Sequence, residues 1–129
     1  MIIYIPCDSS SISVGAENIK NIISDHLPEA KIKRTGSYGL YWLEPMIEVE
    51  KDNRRIAYGP LDNNSIIELI QCDFSEQHSL CLGPAHSIDK LKLQNRLTFK
   101  NCGIIDPLSL DDYKKQGGLQ GLEKALRLS

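Results

Sequence analysis

Apolar and polar positions along this chain switch between two spacings, and the switches mark its elements. Ile2 to Ile5 is a short apolar run closed by Pro6, which predicts a buried strand. Asp8 and Ser9, Ser10 and Ser11 then offer oxygen acceptors for a helix N-terminus. Ile12, Ala16, Ile19, Ile22, Ile23 and Leu27 recur three and four residues apart, so one amphipathic helix is expected to about Leu27, with Pro28 beyond its end. Residues 30–34 alternate as a strand does, and Thr35-Gly36-Ser37-Tyr38-Gly39 reads as a turn-rich loop. Residues 46–50 and 55–58 flank the polar turn Lys51-Asp52-Asn53 and predict a hairpin. Gly59-Pro60 breaks the chain, Asp62 or Asn63 can cap, and Ile66, Ile67, Leu69 and Ile70 predict a helix ending near Cys72.

Strand, helix, strand, hairpin, helix is the order of an α/β domain of thioredoxin-like type, a small mixed sheet with flanking helices. The helix between the first two strands makes them parallel, and the hairpin adds antiparallel ones. Residues 1–75 are expected to form this domain. Residues 76–95 read as a polar connector with a short helix near Ile88 to Gln94, and residues 96–129 as the start of a further domain, a C-terminal extension with a helix over Leu119 to Leu128.

Composition narrows the function. At 129 residues one core is feasible, since such a chain buries roughly two thirds of its unfolded surface. A net charge of -2 offers no basic surplus for a phosphate backbone, so nucleic acid is not an expected partner. No apolar run nears the roughly 18 residues of a transmembrane helix, and the N-terminus lacks a signal peptide's pattern; a cytoplasmic location is expected.

Cys7, Cys72, Cys81 and Cys102 form no C-x-x-C pair and read as reduced thiols or small buried residues. Cys7 lies at a helix start, where a thiol can become nucleophilic, yet Ser10 stands where a resolving cysteine would be needed. His26, His78 and His86 show no metal-ligand spacing, and Asp106, Asp111 and Asp112 read as turn and cap residues. Gly117, Gly118 and Gly121 make neither a dinucleotide fingerprint nor a P-loop. The run Tyr38, Leu40, Tyr41, Trp42, Leu43 is either packing beneath the sheet or a docking surface, with Tyr38, Tyr41 and Trp42 as its aromatic residues.

Two stretches carry a family resemblance. The loop Thr35-Gly36-Ser37-Tyr38-Gly39 through Pro45 and the strand after it resembles the cluster-binding loop of thioredoxin-like 2Fe-2S ferredoxins, with Ser37 and Tyr41 where that loop places two cysteines and Cys7 near its first ligand. One thiol of four does not hold such a cluster, because its irons need soft sulfur ligands. Residues 91–107, then Asp112-Tyr113, Gly117-Gly118 and Ala125-Leu126, resemble the entry to the main domain of the flavin- and NAD-binding subunits of NADH dehydrogenase type. With Gly36 to Pro45 and Ala57-Tyr58-Gly59-Pro60 in front, the pattern is similar to the beta subunit of NAD-dependent formate dehydrogenases; NAD-linked hydrogenase subunits share the tail.

That resemblance implies electron transfer between NAD(H) and iron-sulfur centres by way of FMN, with a 4Fe-4S cluster, all carried by a longer subunit. For this chain it implies an N-terminal structural and docking module without its own redox centre, whose partners are the flavin domain of the same subunit and neighbouring dehydrogenase subunits. The alternative is an autonomous small ferredoxin-like or thiol redox protein using Cys7.

Overall fold

The computed structural model describes residues 1–128. Five strands, β1 (Ile2–Pro6), β2 (Lys31–Thr35), β3 (Ile47–Lys51), β4 (Arg54–Tyr58) and β5 (Cys81–Gly83), form one sheet in the order β2-β1-β3-β4-β5. β1 and β2 are parallel, and β3 runs antiparallel to both its neighbours. This is the mixed, thioredoxin-like sheet with flanking helices that the element order predicts.

Alternation along the strands gives the sheet two dissimilar faces. Ile3, Ile5, Ile47, Val49, Ile56 and Tyr58 belong to the main core, where they meet Ala16, Ile19 and Ile23 of α2 (Ala16–His26) and Ile66 and Leu69 of α3 (Asn63–Gln71). Ile19, Ile23, Ile66 and Leu69 are all at most 1% exposed, and burying such a side chain is worth about 1.5–3 kcal/mol. The opposite face carries Tyr4, Glu48, Glu50, Arg55 and Ala57, and Ala57 packs into a second core with Leu40, Met46, Ala85 and Leu91.

The single long helix expected from Ser9 is two helices: α1 (Ser9–Ser13) stops at Val14, and Gly15, at φ +109°, restarts the chain as α2. A left-handed residue cannot lie inside an α-helix, and glycine adopts that conformation at little cost. Asp62 caps α3 through the backbone N–H groups of Asn64 and Ser65, as the sequence allows. The hairpin turn places Asp52 and Asn53 at φ +50° and +60°, the mirror-image turn favoured between twisted strands.

The segment read as a connector does more than connect. It supplies β5, then a single 3-10 turn at Ala85–Ser87 and α4 (Asp89–Lys92), and it buries Ala85 and Leu91. Beyond it lie α5 (Leu110–Lys115), capped by Ser109, and α6 (Gln120–Arg127). Neither buries a residue, and Leu108, Leu110 and Leu122 stand 91%, 57% and 55% exposed. Ser129, the last residue of the expected C-terminal segment, lies outside the described residues.

Candidate functional site

Two loops meet beyond the ends of β1 and β2, where Cys7, Ser37 and Tyr41 had been singled out. The backbone N–H of Cys7 donates to the carbonyl of Thr35 at 2.9 Å and joins the loops. The thiol is half-buried, and Ser10, Ser11 and Asp8 follow it at the start of α1.

Glu44 organises this end of the sheet. Its side chain is buried and accepts hydrogen bonds from the Ser37 hydroxyl (2.6 Å), the Ser11 hydroxyl (3.1 Å) and the Met46 N–H (3.1 Å). Ser37 also accepts from the Gly39 N–H at 2.9 Å, which folds the loop back on itself. Ser11, wholly buried, lies 2.9 Å from Asp8 Oδ2 as well as near Glu44; with one proton it serves one carboxylate at a time. Asp8 also accepts from the Ser10 hydroxyl and the Ser11 N–H. Burial pushes the Asp8 carboxyl up, but these hydrogen bonds outweigh it and hold the group below its usual range.

Ser37 is therefore committed to shaping the loop. Tyr41 stands on the 3-10 turn Tyr41–Leu43, 67% exposed, beside Trp42 at 59%. One thiol, one engaged hydroxyl and one outward phenol make a donor set that does not fit an iron-sulfur cluster. Among the described residues no three His, Cys, Asp or Glu side chains group as metal ligands, and none of the four cysteines is disulfide-bonded.

The aromatic run is split between buried and exposed positions. Leu40 is buried, with Tyr38 and Leu43 packed against the second core, whereas Tyr41 and Trp42 face outward. Tyr41 shares a surface hollow of about 740 Å³ with Leu97, Phe99 and Cys102 from the tail, so the tail lies along the loop.

Sequence reasoning did not single out the second polar group, on the sheet face opposite the helices. Glu48, 6% exposed at its side chain, pairs with Arg55 Nη2 at 2.6 Å and accepts from the Tyr38 hydroxyl at 3.1 Å. Arg55 lies 3.6 Å from the centre of the Tyr4 ring and also donates to the carbonyls of Gly103 (2.8 Å) and Ile104 (3.3 Å). A methyl group on Gly103 would fall 2.4 Å from the Tyr38 ring, so backbone and ring are in close approach. One guanidinium thus fastens the tail to the sheet. Burial pushes Glu48 up, and although Arg55, Tyr38 and His86 pull the other way, it stays above its ordinary value. Burial and the hydrogen bond to Glu50 push the Tyr4 phenol up to about 12.

A readable signal for this group existed. Glu48 and Glu50 share a strand face, and the hairpin register sets Arg55 directly opposite Glu50 and diagonal to Glu48. His26 closes α2 with Nδ1 2.9 Å from the Ile22 carbonyl, and His78 accepts from the Leu80 N–H, which leaves both in structural roles.

No protein-family model matches the chain, and no curated protein matches it.

Proposed function

We propose that this chain is the N-terminal structural and docking module of an oxidoreductase subunit of NADH dehydrogenase type, with the beta subunit of an NAD-dependent formate dehydrogenase as the context its motifs suit best. In this reading residues 1–75 are a thioredoxin-like domain that has given up its cluster ligands, and residues 96–129 begin the FMN- and NAD-binding domain. The module holds no redox centre; FMN, NAD and a 4Fe-4S cluster belong to the rest of the subunit, and electrons pass between them there. Its partners are the flavin domain of that subunit and neighbouring dehydrogenase subunits, in the cytoplasm.

The observation that carries the reading is the pair Tyr41 and Trp42, held outward on a loop braced from behind by Glu44 and Ser37. Rigid exposed aromatic residues offer large contact area at little entropic cost, which is the character of an interface centre. The tail sets Leu97 and Phe99, 83% and 65% exposed, near the same loop and enlarges the apolar surface. Such a surface acts by position: it places a neighbouring flavin domain at a fixed distance from the sheet and takes no part in bond making.

The test is a titration of the chain with a purified flavin- and NAD-binding subunit of formate dehydrogenase from which the corresponding N-terminal segment has been deleted. Saturable binding that weakens at least tenfold in Tyr41→Ser/Trp42→Ser, with an unchanged melting temperature, is the expected outcome. Equal binding by native and variant chains, or about two irons with matching sulfide per chain in anaerobically purified protein, overturns the proposal.

A further inference from the structure

Between the β3–β4 hairpin and the tail lies a second cleft, of about 510 Å³, on the sheet face opposite the helices. Its apolar floor includes Pro84, Ala85, Leu91 and Ile104. Its charge is one-sided in a chain whose net charge is -2: Arg54, Arg55, Arg96 and Lys100 line it against a single carboxylate, Glu48. Two of those cations are answered. Arg55 pairs with Glu48, and Arg54 with Glu76 at 3.2 Å on the rim. The other two are not: Arg96 makes only a long contact to the Cys102 carbonyl, 3.5 Å, and a contact with the Tyr38 ring at 5.4 Å, while Lys100 has no ion-pair partner among the described residues.

We propose that this cleft binds a small organic phosphate, with the phosphate held by Arg96 and Lys100 and the apolar body on Pro84, Ala85 and Leu91. Unanswered cations beside a low-dielectric wall attract an anion more strongly than the same charges in open water. A guanidinium presents forked donors that match phosphate oxygens, and an ammonium adds a point charge. Polar groups reach the cleft from three separate segments: Asn53 at the hairpin turn, His86 after β5, and Arg96 with Lys100 on the tail. Donors arriving from several directions suit a tetrahedral group with three free oxygens better than a planar carboxylate. Gly103 and Arg96 already cover the Tyr38 ring, so an aliphatic or small flat body suits the floor better than a stacked base. Because the cleft closes only when the tail lies on the sheet, an occupant would also strengthen the Arg55 fastening.

The experiment is calorimetric titration of the whole chain with phenyl phosphate, inorganic phosphate and benzoate, with amide chemical shifts recorded in parallel. The expected result is saturable binding of phenyl phosphate with a dissociation constant of about 1 mM or tighter and shifts at Ala85, Arg96 and Lys100. Inorganic phosphate and benzoate should each bind about tenfold more weakly, the first for want of an apolar body and the second for want of a third oxygen. Lys100→Ala, at an exposed position, should weaken phenyl phosphate binding about tenfold without changing the melting temperature. The proposal falls if phenyl phosphate shows no saturation by about 10 mM, if benzoate binds as tightly, if inorganic phosphate binds as tightly, or if Lys100→Ala binds like the native chain.

Discussion

Replacing Arg55 by methionine tests whether one side chain holds sheet and tail together. Methionine keeps most of the aliphatic stem and removes the charge. The variant loses the 2.6 Å pair with Glu48, the hydrogen bonds to Gly103 and Ile104 and the contact over Tyr4, and leaves Glu48 with the Tyr38 hydroxyl as its neighbour. Breaking a fully buried ion pair costs about 3–5 kcal/mol. Arg55 keeps 22% of its side-chain surface exposed and Glu48 can take up a proton, so about 2–4 kcal/mol is the expected loss near pH 7. For a folded unit of this size that corresponds to a fall in melting temperature of roughly 10–20 °C.

The loss should also depend on pH in a defined sense. Glu48 already sits above its ordinary value because of burial, and Arg55 is the largest influence lowering it. Between the unfolded and folded values the native state binds the proton and the unfolded state does not, so stability falls as pH rises through that window. Without Arg55 the folded value climbs further and the window widens upward. Arg55→Met should therefore be destabilised less near pH 5 than near pH 7, and adding Glu48→Gln should remove most of that difference. Urea unfolding at both pH values measures the stability, and limited proteolysis at residues 96–104 reports release of the tail. A loss below about 1 kcal/mol at both pH values, or a tail no more readily cut than in the native chain, would refute the reasoning.

Two further outcomes follow from local geometry. Gly59→Ala places a methyl 2.6 Å from the Leu43 carbonyl oxygen and 3.2 Å from Met46 Cα, both backbone, so denaturant unfolding should show a loss of about 1–3 kcal/mol. Acid should destabilise the native chain through groups opposite in sign to Glu48. Hydrogen bonds from Arg34 and Lys20 hold Glu17 down to about 2, and Asp8 lies below its ordinary value, so their contribution is present above the unfolded carboxylate range and fades as pH falls through their folded values. Asp8→Asn and Glu17→Gln should each flatten the acid limb of a stability–pH curve measured by circular dichroism, and an unaltered limb in both would count against these assignments.

The parts of the fold that were legible in the chain are those whose signal is local. Ile2 to Ile5 announces β1 because a strand buried on both faces needs no alternation, and Asp62 announces α3 because capping depends on atoms three residues away. β5 gave no such signal. It is three residues long, ends in Gly83 at φ +71°, and owes its conformation to the free edge of β4. The break at Gly15 was hidden for the opposite reason: apolar spacing from Ile12 to Leu27 continues across it, and periodicity registers which side faces the core and nothing of a local change in axis. Around the candidate site, what the chain made readable was that Cys7 follows β1 and that Ser37 and Tyr41 follow β2. That Glu44 gathers Ser37 and Ser11 was not, since a carboxylate before a proline carries no mark of burial.

Glu44 also explains how such a loop keeps its shape. Backbone polar groups and side chains of a loop that is shielded from water must find partners in one another. Here a single carboxylate gathers Ser37 from one loop, Ser11 from the helix opposite and the Met46 N–H at the start of β3. The arrangement ties three segments into one platform at this end of the sheet, and Tyr41 and Trp42 stand exposed beside it. Losing that carboxylate would loosen the platform before the core, since Ile3, Ile5, Ile19, Ile23, Ile66 and Leu69 pack without it.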